Sequence, residues 1–482
     1  MISQHASQEL LELLRHVGVP LGVDAIEAIR DRCHQRPPCP REGGAVARFS
    51  RCCQGYANRA RLVNRLVERF IAKCNLESFV DLTPSPVSSD LLRRVTAFVD
   101  QEVIPAESTY NEQVRASGHP HVIPPILEEL KQRAREAGLW NLFMPFPAWG
   151  PGLSNLDYAP LAEQMGRSLI APEVFNCNAP DTGNMEVLAR SASPEQQQRW
   201  LIPLLEGRTR SAFAMTEPDV ASSDANNVGS TITRDGDEYI VSGRKWFITN
   251  SPRDVTEMCL FLGRTDPDAP RHRQHSVAIV PMEAPGVRVE RSLSVFGYDL
   301  GEGHGEVTFD RVRVPVDNLV GAEGDGFRIA QERLGPGRIH HCMRLLGQAE
   351  RALTLLVHRA TTRSTFGTRI IDNDTIREVI AESRCEIEQA RLLTLRTAWL
   401  MDTVGAREAR AEISMIKIVA PRAALNVIDR AIQVHGATGV SQDTPLAHHF
   451  AHARTMRIVD GPDAVHLRTI ARQEIHSQLQ GA

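Results

Sequence analysis

No run of about eighteen apolar residues, the length a helix needs to cross a bilayer, occurs in this 482-residue chain. Charge of one sign is also missing. The 55 basic residues against 59 acidic ones give a formal net charge of -4, which supplies no global field to attract nucleic acid or anionic lipid. The nine cysteines are odd in number and form no regular framework, so a disulfide scaffold is excluded and a reducing compartment with free thiols is expected. The N-terminal stretch has no basic segment followed by an apolar one, because Gln8 to Arg15 mixes acids and bases with leucines. Secretion is not expected; the cytoplasm is, for a bacterial source, or a mitochondrion or peroxisome for a eukaryotic one. The strand-glycine-helix fingerprint of dinucleotide-binding folds is absent as well.

What is present reads as a soluble globular protein, with 42% hydrophobic and 24% charged residues. The length exceeds what one core ordinarily serves, so two or three units are expected, large enough to bury a cofactor. Residues 1–85 differ from the rest. Two amphipathic stretches, Gln8–Arg15 and Tyr56–Cys74, flank a segment rich in Pro, Arg and Cys, which reads as an appended extension. Cys33, His34, Cys39, Cys52 and Cys53 are possible zinc ligands, but their spacing is not that of a structural zinc site. No metal is expected.

Beyond Ser85 the pattern is helical to about residue 210, with Ser88 or Ser89 expected to cap a helix through Val99 and Ser193-Pro194-Glu195 opening another. From Ser211 the period changes to two. Thr231–Thr233, Tyr239–Val241, Lys245–Ile248 and Val277–Val280 are expected as short strands of a small β domain. From Ile329 long helical runs return. Leu392, Leu395 and Trp399, then Ile416, Val419, Ala423, Val427 and Ile432, are the apolar faces expected to build a bundle. The expected division is 1–85, 86–210, 211–325 and 326–482: extension, helical domain, β-barrel-like domain and four-helix bundle.

Five segments carry the functional argument: Phe213-Ala214-Met215-Thr216-Glu217-Pro218, Gly243 to Asn250, Arg363 to Gly367, Gln433 to Gly439 and Asp460-Gly461-Pro462. Each alone is weak. In their order and spacing they resemble the acyl-CoA dehydrogenase flavoprotein family over about residues 86–480. The strings Asn176 to Asn184 and Asp460 to His466 resemble a subgroup fused in animals to kinase-like and hydrolase-like domains.

The resemblance implies FAD and an acyl-CoA substrate, dehydrogenated between its α and β carbons. It implies flavin contacts from Phe213, Met215, Thr216, Phe247 and Thr249, with a serine, Ser222 or Ser223, near the FAD pyrophosphate and the acyl-CoA. Arg363, Thr365 and Phe366, with Gln433, Gly436 and Ala437, match residues that reach the FAD of a neighbouring subunit, so a homodimer or homotetramer is implied. An arginine fork suits a pyrophosphate because it donates two hydrogen bonds at once. Arg338 and Arg472 match contacts to CoA. Asp374, Ala437 and Pro462 depart from residues frequent in the family.

Asp460 falls at the family's glutamate base position, and Gly461 would let the backbone approach the thioester. Removing an α proton requires the thioester oxygen to be polarised and the base to be tuned toward working pH; a desolvated carboxylate is expected to have a raised pKa. The alternative base position, within Leu334 to Ile339, holds no acid. Electrons would pass to an electron-transfer flavoprotein. An acyl-CoA oxidase is the nearest alternative, and a flavin-containing DNA-binding protein of related fold is the other, disfavoured by the charge of -4.

Overall fold

The computed structural model describes residues 80–480 except Leu300; the cysteines and histidine considered for zinc at positions 33–53 lie outside them. The first helix, α1 (Pro86–Phe98), starts earlier than Ser88. Ser85 caps it by accepting from Ser88 N at 3.1 Å, and Pro86 occupies the first turn, where its missing N–H costs nothing. Next come α2 (Ile104–Ser117), α3 (Pro125–Glu136), α4 (Asn155–Gly166) and α5 (Asp181–Ser191). Ser193 opens a further short helix through a capping box with Gln196.

Eight strands follow: β1 (Arg210–Ala214), β2 (Thr231–Asp235), β3 (Glu238–Thr249), β4 (Thr256–Arg264), β5 (His275–Pro281), β6 (Val287–Ser292), β7 (His304–Pro315) and β8 (Leu319–Val320). Their order is β6-β7-β3-β2-β4-β5-β8, with β1 lying parallel beside β4. The two segments expected at Tyr239–Val241 and Lys245–Ile248 are one strand, β3, kinked by bulges after Val241 and Lys245. Gly243 makes the first possible, since a Cβ there would come within 2.0 Å of Ser230 Oγ. The core holds Val241, Ile248, Phe261, Val280, Val307 and Phe309, each such buried side chain contributing about 1.5–3 kcal/mol.

The last layer is a bundle of α6 (Gly326–Thr362), α7 (Asp374–Val404), α8 (Arg410–His435), α9 (Leu446–Thr455) and α10 (Asp463–Gln480). α6 packs on α4, α7 and α8. Its contact with α4 is backbone to backbone: a Cβ on Gly166 would sit 2.1 Å from Arg344 O, and one on Gly347 2.0 Å from Glu163 O. Ile416, Ala423 and Val427 face the core as expected, but α7 is turned. Ile387, Ala390, Thr394 and Ala398 point inward while Leu392 is 55% exposed, and the small Ala390, Thr394 and Ala398 let α7 lie close to α6 and α8.

Candidate active site

Strand β1 is held by a buried ionic network. Glu173 accepts from Arg210 at 3.2 Å and from Arg253 at 3.0 Å, with Lys131 3.1 Å away. Asp181 accepts from Ser211 N at 2.7 Å, and Asn176 from Arg210 at 2.9 Å. The Asn176 to Asn184 string thus folds around the start of β1 and fixes where the chain emerges at Phe213. Past that point Thr216 Oγ1 donates to Trp246 O at 2.6 Å, and Trp246 N donates to Thr216 O at 3.0 Å. The turn after β1 is therefore tied to the second bulge of β3. Phe247 stands on that bulge with φ +51° and is 44% exposed. Ser222 Oγ accepts from Glu217 N at 2.8 Å, while Ser223 is exposed. Thr249 Oγ1 lies 3.0 Å from His304 Nδ1.

Asp460 occupies the turn between α9 and α10 with φ +57°, a left-handed conformation that persists only where its surroundings fix it. Here they do so through carbonyl oxygens. Lys417 Nζ donates to Met456 O at 2.6 Å and Val459 O at 2.8 Å; Arg338 Nε donates to Asp460 O at 3.1 Å, and His466 Nε2 is 3.3 Å from the same oxygen. Gly461, at φ +109°, leaves room for His466, whose Nε2 would be 2.8 Å from a Cβ there. The carboxylate points onto α6: Oδ2 is 3.5 Å from His341 Nε2 and 4.0 Å from the position of a Cβ on Gly337.

Burial by itself would raise the Asp460 carboxyl, but the charges of His341, Lys417, Arg333 and Arg338 outweigh it and hold the carboxyl below its ordinary value. The expectation of a raised pKa, which rested on desolvation alone, is corrected by these cations. His341 itself is pushed down to about 4 by burial; Lys417, Arg333 and Arg338 are also pushed down by burial, and the Asp460 carboxylate opposes that shift in each. Arg333 joins the two halves of the site. Its guanidinium lies 4.3 Å from the centroid of Phe213, its Nε donates to Asn184 Oδ1 at 3.1 Å, and Asp460 and Glu186 attract its charge.

This arrangement has relatives. Residues 86–208, 212–312 and 324–475 match the N-terminal, middle and C-terminal domains of acyl-CoA dehydrogenase. The chain belongs to the acyl-CoA dehydrogenase family. Probable acyl-CoA dehydrogenase FadE2 of Mycobacterium tuberculosis is 52% identical, over 82% of this chain and 97% of its own length. Acyl-CoA dehydrogenase family member 11 of Gallus gallus is 53% identical over 81% of this chain, which spans only 50% of that longer protein. An acyl-CoA dehydrogenase from Geobacillus kaustophilus, 26% identical, superposes with a TM-score of 0.69 over 81% of this chain and 98% of its own.

Within this acyl-CoA dehydrogenase fold the expected site residues separate into two groups. Phe213, Met215, Thr216, Ser222, Phe247 and Thr249 gather at the β1 and β3 turns; Arg338, Asp460 and Gly461 gather at the α6 face, with Arg333 between. Arg338 braces the Asp460 carbonyl. Arg363, Thr365, Phe366, Gln433, Gly436, Ala437 and Arg472 are exposed, and Phe366 is wholly so. Arg363 follows the end of α6, 22 positions past His341, which is about 33 Å along a helix. Gln433 lies toward the C-terminal end of α8, 16 positions past Lys417, or about 24 Å. Neither segment reaches Asp460 of its own chain.

Sequence reasoning missed Arg333, His341 and Lys417. A usable signal was present on α6, where Arg333, Gly337, His341, Arg344 and Gln348 recur at intervals of three or four, so that four polar side chains share one helix face. Among the described residues no group of three His, Cys, Asp or Glu side chains is placed to hold a metal, and no helix is long and apolar enough to cross a membrane.

Proposed function

We propose that the chain is a FAD-dependent acyl-CoA dehydrogenase that converts an acyl-CoA to the trans-2-enoyl-CoA, with Asp460 removing the α proton and an electron-transfer flavoprotein receiving the electrons. The observation that carries this reading is the Asp460 carboxylate, its side chain only 12% exposed, facing α6 and linked through Arg333 to Phe213 at the β1 turn. The residues present fit a flavin. Phe247 offers a half-exposed aromatic face on a bulge beside Trp246, and Thr216 and Thr249 bring hydroxyls to the same turns, donor chemistry suited to an oxygen-edged ring. Bound there, the flavin supplies the acceptor for the β hydride.

The remaining steps fall to the chain. Asp460, already ionised, accepts the α proton, while its fixed backbone N–H is available to the thioester oxygen and so acidifies the α C–H. Arg333 and Arg338 hold positive charge beside the carboxylate, and Arg338 and Arg472 serve the CoA. Ser222 or Ser223 serves the pyrophosphate side. The division near residues 210 and 325 is part of the same reading, with the cofactor at the β domain and the base in the bundle. Anaerobic mixing of the purified protein with a series of acyl-CoAs should bleach the oxidised flavin band with at least one of them; no bleaching by any would overturn the reading. Peroxide released during turnover in air would identify an oxidase instead.

The exposed hairpin at Arg363 to Gly367 and the end of α8 extend this proposal to a homodimer or homotetramer. A fully exposed Phe366 next to Arg363 suits a contact with a second subunit and its cofactor. Arg363→Ala is expected to lose flavin and weaken the oligomer together, by tenfold or more in flavin affinity if a charged bidentate contact worth about 1.5–3 kcal/mol is removed. Light scattering and flavin absorbance measure both. Full flavin occupancy in a stable monomer would contradict shared binding.

A further inference from the structure

We propose that Lys417 is the positioning residue of the base: its buried ammonium holds the turn that carries Asp460 and supplies charge beside the carboxylate. This rests on the reading of Asp460 as the base.

Lys417 is 1% exposed. Removing an ammonium from water costs several kcal/mol unless its donors are satisfied, and its hydrogen-bond acceptors are the carbonyls of Met456 and Val459. Those oxygens lie just past the end of α9 and immediately before Asp460. Helix-end carbonyls lack partners along the helix and carry partial negative charge, so a cation suits them. Packing holds only the start of this turn, where Met456 is buried in the bundle core; Ile458 is 60% exposed and Val459 38%. The two hydrogen bonds from α8 therefore fix the segment whose next residue must adopt the left-handed conformation. Backbone bonds hold the start of the turn, where Ile458 N and Val459 N donate to Thr455 O at 2.7 and 3.0 Å; the side chains that tie it to other elements are Lys417, with Arg338 and His466 on the Asp460 carbonyl.

The charged and titratable groups around the carboxylate are Arg333, Arg338 and His341 on α6, Cys342 beside them, Lys417 on α8, and His466 and Asp463 on α10. His341 and His466 are each pushed down to about 4 by burial, and Asp463 is engaged by Arg457 at 2.6 Å and Arg422 at 3.2 Å. Lys417 is thus the one cation that α8 contributes to the base. Its charge favours the ionised carboxylate, so its loss moves the Asp460 pKa upward.

Three substitutions separate the roles. Lys417→Arg keeps charge and donors, Lys417→Gln keeps donors without charge, and Lys417→Met keeps only length. Hydrogen–deuterium exchange read by mass spectrometry is expected to show the amides of 457–462 exchanging at least about tenfold faster in Lys417→Met, with other segments unchanged. The acid limb of flavin reduction is expected to move up by about one pH unit in both neutral variants and to stay in place in Lys417→Arg, while affinity for a non-oxidisable acyl-CoA analogue holds in all three. Unchanged exchange and an unmoved acid limb in Lys417→Met would overturn the proposal. So would global loss of folded protein in both neutral variants, which would assign Lys417 to the fold alone. Asp460→Asn run in parallel keeps the two ideas apart: normal flavin reduction there removes the base assignment, whereas the exchange of 457–462 still reads the hold of Lys417 on its turn.

Discussion

Asp460→Asn is expected to bind flavin and acyl-CoA yet reduce the flavin on the order of a hundred- to ten-thousand-fold more slowly. Asparagine keeps the volume and the backbone N–H, and the hydrogen bonds that Lys417, Arg338 and His466 make to the turn act on carbonyl oxygens rather than on this side chain. Only the capacity to accept a proton disappears. The loss should therefore fall on the chemical step and spare ligand affinity. Asp460→Glu should retain partial activity, because its extra methylene must fit between the turn and α6, where Oδ2 already lies 3.5 Å from His341 Nε2. Rapid-mixing absorbance of the oxidised band tests both. Near-normal bleaching by Asp460→Asn would move the base elsewhere. The next carboxyl to replace would be Glu186, buried on α5 and pushed up to about 7 by its burial.

Gly347→Val should destabilise the protein by roughly 3 kcal/mol or more, since overpacking at a rigid contact costs 1–3 kcal/mol and this one cannot relax by a side-chain rotation. A Cβ at 347 meets Glu163 O at 2.0 Å and Arg167 N at 2.9 Å, both backbone atoms of α4 or of the residue that ends it. The effect should reach the site as well. α6 carries Arg333, Arg338 and His341, so shifting it off α4 displaces the groups that surround Asp460. A lowered urea midpoint together with slower flavin reduction in the folded fraction is the expected result. An unchanged midpoint would show that the two helices can part at little cost.

The order of helices, sheet and bundle was legible because each element carries its own period, and the family was legible because five motifs keep their order along the chain. The site was legible in part. The proposal for Asp460 rests on a carboxylate standing within a recognisable string. Boundaries were less so: Ser85 rather than Ser88 caps α1, as the hydroxyl that precedes a proline has the open N–H groups in reach. Leu392 looked like a core residue from its spacing, yet Ile387, Ala390, Thr394 and Ala398 took the inward face of α7.

What the sequence determined by itself is therefore local or ordinal: periodicity, turn chemistry, the presence of an acid at 460 and its absence at 334–339. What only the tertiary structure decided is the company each side chain keeps. Lys417 and Asp460 are 43 positions apart and Arg333 and Asp460 are 127 apart, and no spacing rule relates residues on three different elements. Their meeting depends on how α6, α8 and the α9 to α10 turn pack, and it reverses the direction in which burial alone would shift the Asp460 carboxyl, because electrostatic energy depends on distance in space and not along the chain.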